Sequence, residues 1–288
     1  MLILALALLL AAPAQAQTAS GISFTFTPFD YPGSTYTAGS SINHAKIAVG
    51  IYLDTNGISH GYARLANNTF KAIDYPNSTS TGLWGINDKS HAVGFYTDAN
   101  GVQHGFLFSP PSTFTPIDYP GSLVTTAYAI NNNDEIVGSY VDSSNVERGF
   151  VLTAGNYVSL DYPNAANTVP AGVNLAGIIS GIWFEASGVA HGFVLTSPNH
   201  GKYYNIDYPG STYTQSEKIN DKNQLVGGYI DNNGTLHGFA AAPANNQYIT
   251  VDYPNAAGTI VRGINNAGVL VGHYTDTTGA HHGFLAVP

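Results

Sequence analysis

The sequence predicts an all-β protein, a six-bladed β-propeller of four-stranded antiparallel blades, and three observations predict it. The triplet DYP begins at Asp30, Asp74, Asp118, Asp161, Asp207 and Asp252, at intervals of 44, 44, 43, 46 and 45 residues, a period that marks repeat architecture. Each period holds four short runs rich in Val, Ile, Phe, Tyr and Thr, split by turn residues. The chain also carries a spare fourth strand at its start and lacks one at its end.

Residues 1–16, MLILALALLLAAPAQA, read as a secretory signal peptide, with an apolar run ending in the cleavage signal Ala14-Gln15-Ala16. No Lys or Arg stands near Met1, which leaves the true start codon open. The run is shorter than the about 20 apolar residues that cross a bilayer. The expectation is a mature chain from Gln17 with no membrane span, secreted to the extracellular space or periplasm. Residues 17–288 are then a single propeller. The next segment, GISFTFTPF, is a fourth strand without a blade of its own.

Nine residues follow each DYP before an Ile-Asn or Val-Asn pair, and the fifth of the nine is always Thr: Thr37, Thr81, Thr125, Thr168, Thr214 and Thr259. Seven residues past the Asn stands an unvarying Gly: Gly50, Gly94, Gly138, Gly181, Gly227 and Gly272. An aromatic, a carboxylate and usually the pattern GxxHGF complete the copy. The first turn holds a mixed Gly, Asn, Asp, Ser or Lys position, and the second has forms such as DTNG and DANG, in which Gly supplies the positive φ of a tight hairpin. A sustained 3.6-residue period is missing, so the sequence predicts very little helix. A β-solenoid is the rival, but its coils are parallel and shorter and do not use tight hairpins. The sixth repeat stops after its third strand, so GISFTFTPF is expected to complete the last blade and close the ring without an open edge.

The consensus GIN…VGxYxDxxGxxHGF resembles the HAF-repeat family of bacterial extracellular proteins. It is carried by His60-Gly61-Tyr62, His104-Gly105-Phe106, His191-Gly192-Phe193, His237-Gly238-Phe239 and His282-Gly283-Phe284, with Arg148-Gly149-Phe150 departing from it. The resemblance spans residues 21–288. It implies a secreted, repeat-built protein and brings no established activity.

Composition narrows the function classes. Charged residues are only 9% of the chain, the net charge is −9, and no basic run occurs, which excludes a nucleic-acid partner that needs a cationic face. There is no Cys, hence neither a disulfide framework nor a thiolate metal site. All but three of the 18 Asp and Glu residues recur within the repeat; the exceptions are Glu135, Glu147 and Glu217. Recurring carboxylates suit turn caps better than one catalytic centre. The repeated His60, His104, His191, His237 and His282 are expected to brace the blades with the DYP aspartates, much as WD-repeat propellers use His–Asp hydrogen bonds, and not to bind metal, since zinc needs three or four clustered ligands. The DTNG turns lack the oxygen ligands of a calcium loop, and neither a phosphate loop nor a GxSxG elbow occurs. No cofactor is expected.

Positions where the repeat varies are more informative. Three residues after the recurring Thr stand Ser40, Trp84, Tyr128, Ala171, Glu217 and Arg262. On an innermost strand these line the channel, so Trp84, Tyr128, Glu217 and Arg262 form a candidate ligand-binding ring: aromatic faces for stacking and charges for orientation. A second variable ring, Ile51, Phe95, Ser139, Ile182, Gly228 and His273, is expected to pack between blades. Asn67, Asn77 and Asn233 occupy N-x-S/T sequons. The leading expectation is a non-catalytic binding module for glycans or a cell-surface polymer. The alternatives are a self-assembling surface protein and a polysaccharide-acting enzyme centred on Glu217 and Arg262.

Overall fold

Each repeat begins, just after its DYP loop, with a seven-residue strand that lines the channel; three further strands follow outward. In a computed structural model describing residues 22–198, 201–243 and 247–288, blade 1 is β2 (Tyr36–Ile42), β3 (Ala48–Leu53), β4 (Ser59–Arg64) and β5 (Phe70–Ala72). Blade 2 is β6 (Ser80–Ile86), β7 (Ala92–Thr97), β8 (Gln103–Ser109) and β9 (Thr113–Ile117). Blade 3 is β10 (Val124–Ile130), β11 (Ile136–Val141), β12 (Glu147–Thr153) and β13 (Asn156–Leu160). Blade 4 is β14 (Asn167–Val173), β15 (Ile179–Phe184), β16 (Ala190–Leu195) and β17 (Tyr203–Ile206). Blade 5 is β18 (Tyr213–Ile219), β19 (Leu225–Ile230), β20 (Leu236–Ala242) and β21 (Gln247–Thr250). Blade 6 takes β22 (Gly258–Ile264), β23 (Leu270–Thr275) and β24 (His281–Val287) from the C-terminus and β1 (Thr25–Phe29) from the N-terminal side. No α-helix occurs among the described residues, and the expected signal peptide, residues 1–16, lies outside them.

β1 pairs antiparallel with β24 in the register Thr25↔Val287 to Phe29↔Gly283. The fold is therefore a closed six-bladed propeller whose ends meet within one blade. Phe29 is buried and packs with Val269 and Val271 of blade 6 and with Ile42, Ala48, Tyr52 and Tyr62 of blade 1. The seam thus has the same kind of apolar filling as the joints between continuous blades, such as Val93 and Ile117 against Ala127, Ile130 and Phe150. The aromatic of each HGF-type triplet is fully buried: Tyr62, Phe106, Phe150, Phe193, Phe239 and Phe284. Tyr62, the one phenol among them, donates its hydroxyl to the Ala38 carbonyl at 3.1 Å, as a buried donor must.

The Asn that ends every inner strand does two jobs. Its Oδ1 accepts from the N–H four residues on, as from Ile47 to Asn43 at 3.0 Å, which closes the turn. Its Nδ2 donates to the backbone carbonyl of the equivalent Asn in the next blade. These bonds run Asn43 to Asn87, Asn87 to Asn131, Asn131 to Asn174, Asn174 to Asn220, Asn220 to Asn265 and Asn265 back to Asn43, at 2.9–3.2 Å. The result is a closed circle of six buried hydrogen bonds around one end of the channel.

Each inner strand also carries a β-bulge. Pairing with the second strand skips between Gly39 and Ser41, Leu83 and Gly85, Ala127 and Ala129, Pro170 and Gly172, Ser216 and Ile219, and Val261 and Gly263. The skipped residues are the first variable ring: Ser40, Trp84, Tyr128, Ala171, Glu217 (with Lys218) and Arg262. A bulge leaves its extra residue outside the ladder and re-aims the side chain. The unvarying Gly faces this bulge. A Cβ on Gly138 would overlap the Thr126 carbonyl oxygen, and one on Gly272 that of Ile260, so only Gly lets the bulged strand come this close.

Two outcomes test this frame. Phe29→Ala should cost about 3–5 kcal/mol, and deletion of residues 21–29 more, read from the denaturation midpoint; a truncated chain as stable as the full one would refute closure by β1. Asn87→Ala breaks one link of the circle and leaves the Asn131 carbonyl and two turn N–H groups without it, so it should cost about 1–3 kcal/mol by the same measurement.

Candidate functional site

The repeated His and Asp residues meet at each blade in one pattern. His60 Nδ1 lies 3.1 Å from Asp74 Oδ2 and its Nε2 3.8 Å from Asp54 Oδ2. His104 sits between Asp118 and Asp98, His191 between Asp207 and Glu185, His237 between Asp252 and Asp231, and His282 between Asp30 and Asp276. Blade 3 keeps both carboxylates and replaces the imidazole: Arg148 donates from Nε to Asp142 at 2.7 Å and from Nη1 to Asp161 at 3.0 Å. The sequence departure at Arg148 is therefore a chemical equivalent. The five hairpin aspartates also cap their own turns, as Asp54 Oδ1 does for the N–H groups of Asn56 and Ile58, while Glu185 instead accepts from Ser187 Oγ. The Ile58 bond leads the effects that hold the Asp54 carboxyl below its ordinary range.

DYP straddles two blades. Asp74 reaches back to His60 of blade 1, while Tyr75 stacks forward on Tyr96 of blade 2 at 3.6 Å between ring centres. The Tyr75 N–H donates to Thr81 Oγ1 at 3.0 Å, and the same bond recurs at Thr37, Thr125, Thr168, Thr214 and Thr259. This accounts for the recurring Thr. Among the described residues no group of three or more His, Asp or Glu is placed to hold a metal ion.

The bulge ring breaks this symmetry. Arg262 Nη1 donates to Glu217 Oε1 at 2.7 Å, and the Arg262 guanidinium lies over the Trp84 ring, 5.6 Å from its centre. Trp84 in turn meets Tyr128, with ring centres 5.9 Å apart. The four residues singled out from the sequence thus come together as one chain of contacts, Glu217–Arg262–Trp84–Tyr128, drawn from blades 5, 6, 2 and 3. Ala171 and Ser40 fill the remaining bulges with small side chains. A cation over an indole face contributes about 0.5–2 kcal/mol, depending on desolvation. Burial pushes the Tyr128 phenol up to about 12, with the charge of Glu147 adding to it.

Several residues of this cluster escaped the sequence reading. Tyr213 donates to Gln215 Oε1 at 3.2 Å, and Gln215 donates to Glu217 Oε1 at 2.8 Å. Lys218 occupies a position that is Ser, Gly or Ala in the other copies; it is buried and donates to the Ala171 carbonyl at 2.7 Å. Its desolvation lowers the ammonium pKa to about 8. The second variable ring does pack at Ile51 and Phe95, which crowd Gly82. So does His273, buried beside Tyr36 of blade 1 and His281, whereas Ser139 departs from the expectation: it donates to Glu147 Oε1 within its own blade at 2.6 Å. Burial, then the charges of Arg262 and His281, push the His273 pKa well below its ordinary value. The mixed residue before the Thr (Tyr36 and Tyr213) was the available signal, but it varies as freely as any solvent position.

The circle of Asn residues encloses a cavity of about 80 Å³ that none of the bulge residues lines. Larger cavities lie between blades: about 620 Å³ between blades 1 and 2, walled by residues such as Ile47, Leu65, Phe108 and Phe114, and about 260 Å³ between blades 5 and 6. No family model matches the chain, and no curated protein matches it.

Solved structures do match it. The fucose-specific lectin from Aleuria aurantia superposes with a TM-score of 0.55 at 8% identity, over 88% of this chain and 93% of the lectin. The SapL1 lectin in complex with α-methyl fucoside gives 0.57 at 9%, over 86% and 91%. A gluconolactonase from Xanthomonas campestris gives 0.51 at 10%, over 88% of each chain. At these identities the likeness is one of fold, shared by binding proteins and an enzyme alike.

The brace at the seam has a pH signature. Burial lowers the His282 pKa, but the hydrogen bonds and charges of Asp30 and Asp276 outweigh it and the net shift is upward. A raised folded-state value means the contribution is fully present below about pH 6.5, the ordinary histidine value, and is lost as pH rises through the folded value. The stability advantage of the wild type over His282→Gln should therefore be larger at pH 5.5 than at pH 8.5 in thermal melts. An advantage that is constant or grows with pH would count against the brace.

Proposed function

We propose that this protein is a secreted, non-catalytic propeller of the HAF-repeat family that binds carbohydrate in its channel, at the bulge ring. One observation carries the reading: the position where the six-fold frame abandons symmetry gathers Trp84, Tyr128, Glu217 and Arg262 into one contact chain. Aromatic faces beside a fixed guanidinium and carboxylate match the apolar and hydroxyl-bearing faces of a sugar ring. The fold shared with two fucose-binding lectins supports it, and so does the leader-like sequence of residues 1–16. Glu217 favours binding over hydrolysis, because its Oε1 is already held by Arg262 and Gln215.

A second reading, self-assembly at a cell surface, draws on Ile58, Val102 and Val189. These occupy the same hairpin position and are 42%, 39% and 38% exposed, giving part of one face a recurring apolar spot.

A glycan array on the purified chain, followed by calorimetry, tests the first reading. Trp84→Ala and Tyr128→Ala should each weaken binding about tenfold, equivalent to about 1.4 kcal/mol, with Tyr128→Ala melting close to the wild type. Unchanged affinity in both variants would sink the channel site. Concentration-dependent light scattering without glycan binding would favour self-assembly.

A further inference from the structure

Donors and acceptors in the channel cluster do not balance. On the inner two strands of the neighbouring blades 6, 1 and 2, three buried polar atoms have no protein partner among the described residues: His273 Nδ1, Ser40 Oγ and Trp84 Nε1. Ser40 and His273 are 1% and 8% exposed, so bulk water does not satisfy them. Leaving a buried polar group unpaired is costly, and two of these, on Ser40 and Trp84, stand in the bulge ring itself, where donors outnumber acceptors.

The chemistry of the guest follows from the inventory. Trp Nε1–H, guanidinium and ammonium groups donate only; Ser and neutral His can each donate. Arg262 engages Glu217 through Nη1, while its Nε and Nη2, the edge that grips a carboxylate side-on, have no partner among the described residues. Lys218 adds a second cation, held by a backbone carbonyl. Against these stands Glu217, whose Oε1 is already shared. Glu147, the other carboxylate of this end, belongs to blade 3 and is taken by Ser139. Two cations and a surplus of donors gather here in a protein whose net charge is −9.

We infer that the channel takes an acidic sugar at the bulge ring, a uronic acid residue whose carboxylate meets the free edge of Arg262, with its ring against Trp84 and Tyr128. This rests on the carbohydrate reading above and adds the charge of the ligand. A planar carboxylate suits the guanidinium fork; a sulfated sugar offers the same charge without that planar match.

Calorimetry with the full chain at low salt tests it, using a glucuronic acid-terminated disaccharide, its glucose-terminated counterpart and a sulfated analogue. The acid should bind at least tenfold tighter than the neutral sugar and tighter than the sulfate. Arg262→Gln, and also Arg262→Lys, which keeps the charge but loses the fork, should bring the acid-to-neutral ratio close to one. Equal affinity for acid and neutral sugars, tighter sulfate binding, or a ratio that survives in Arg262→Gln would overturn this inference and leave the carbohydrate reading standing. Absence of binding to all three sugars and to every neutral glycan on the array would overturn both.

Discussion

Six Asn amides, each reaching across to the backbone carbonyl of the next, close into a circle around the channel. Each amide works at both ends: the oxygen ties its own turn and the nitrogen ties the neighbouring blade. A buried amide has no cheap alternative partner, so every blade must present its turn at the same height and angle. That requirement sets the inner strands side by side and fixes where their bulges fall. The channel cluster depends on it in turn, since Arg262 reaches Trp84 past the whole width of blade 1.

Farther out, the joints between blades rest on side chains that serve two neighbours at once. DYP gives its Asp to the blade behind and its Tyr to the blade ahead, and the recurring Thr holds the Tyr N–H. Arg148 shows that what the frame requires is a donor between two carboxylates, and the imidazole ring is one way to supply it. With nearly all acidic groups committed to turns and braces, the frame has little left for chemistry. The bulge residues are the exception. They lie outside the ladder, so Ser, Trp, Tyr, Ala, Glu and Arg all fit there without disturbing a hydrogen bond between strands.

Much of this was legible along the chain because the repeat displays it six times. The period located the blades, the missing and spare strands located the closure, and the variable position three residues after Thr located the bulge ring. The cyclic partner of each Asn was not legible, because a bond between residues 43 to 46 apart in sequence, or 222 at the seam, leaves no local pattern. Lys218, Gln215 and Tyr213 were missed because each stands at a position that looks unconstrained in sequence. Each acquires meaning only from its partner: Gln215 for Tyr213, Glu217 for Gln215, and the Ala171 carbonyl of the neighbouring blade for Lys218.

The sequence by itself determined the architecture: blade number, strand order, turn chemistry and the seam, since these rest on local periodicity and on steric rules that each copy obeys alone. Tertiary structure decided which variable residues meet. Whether Arg262 pairs with Glu217 or stands alone, and whether Trp84 faces solvent or a guanidinium, depends on the distances across a ring of six blades. Those distances are set by packing and by the Asn circle, which no single repeat encodes.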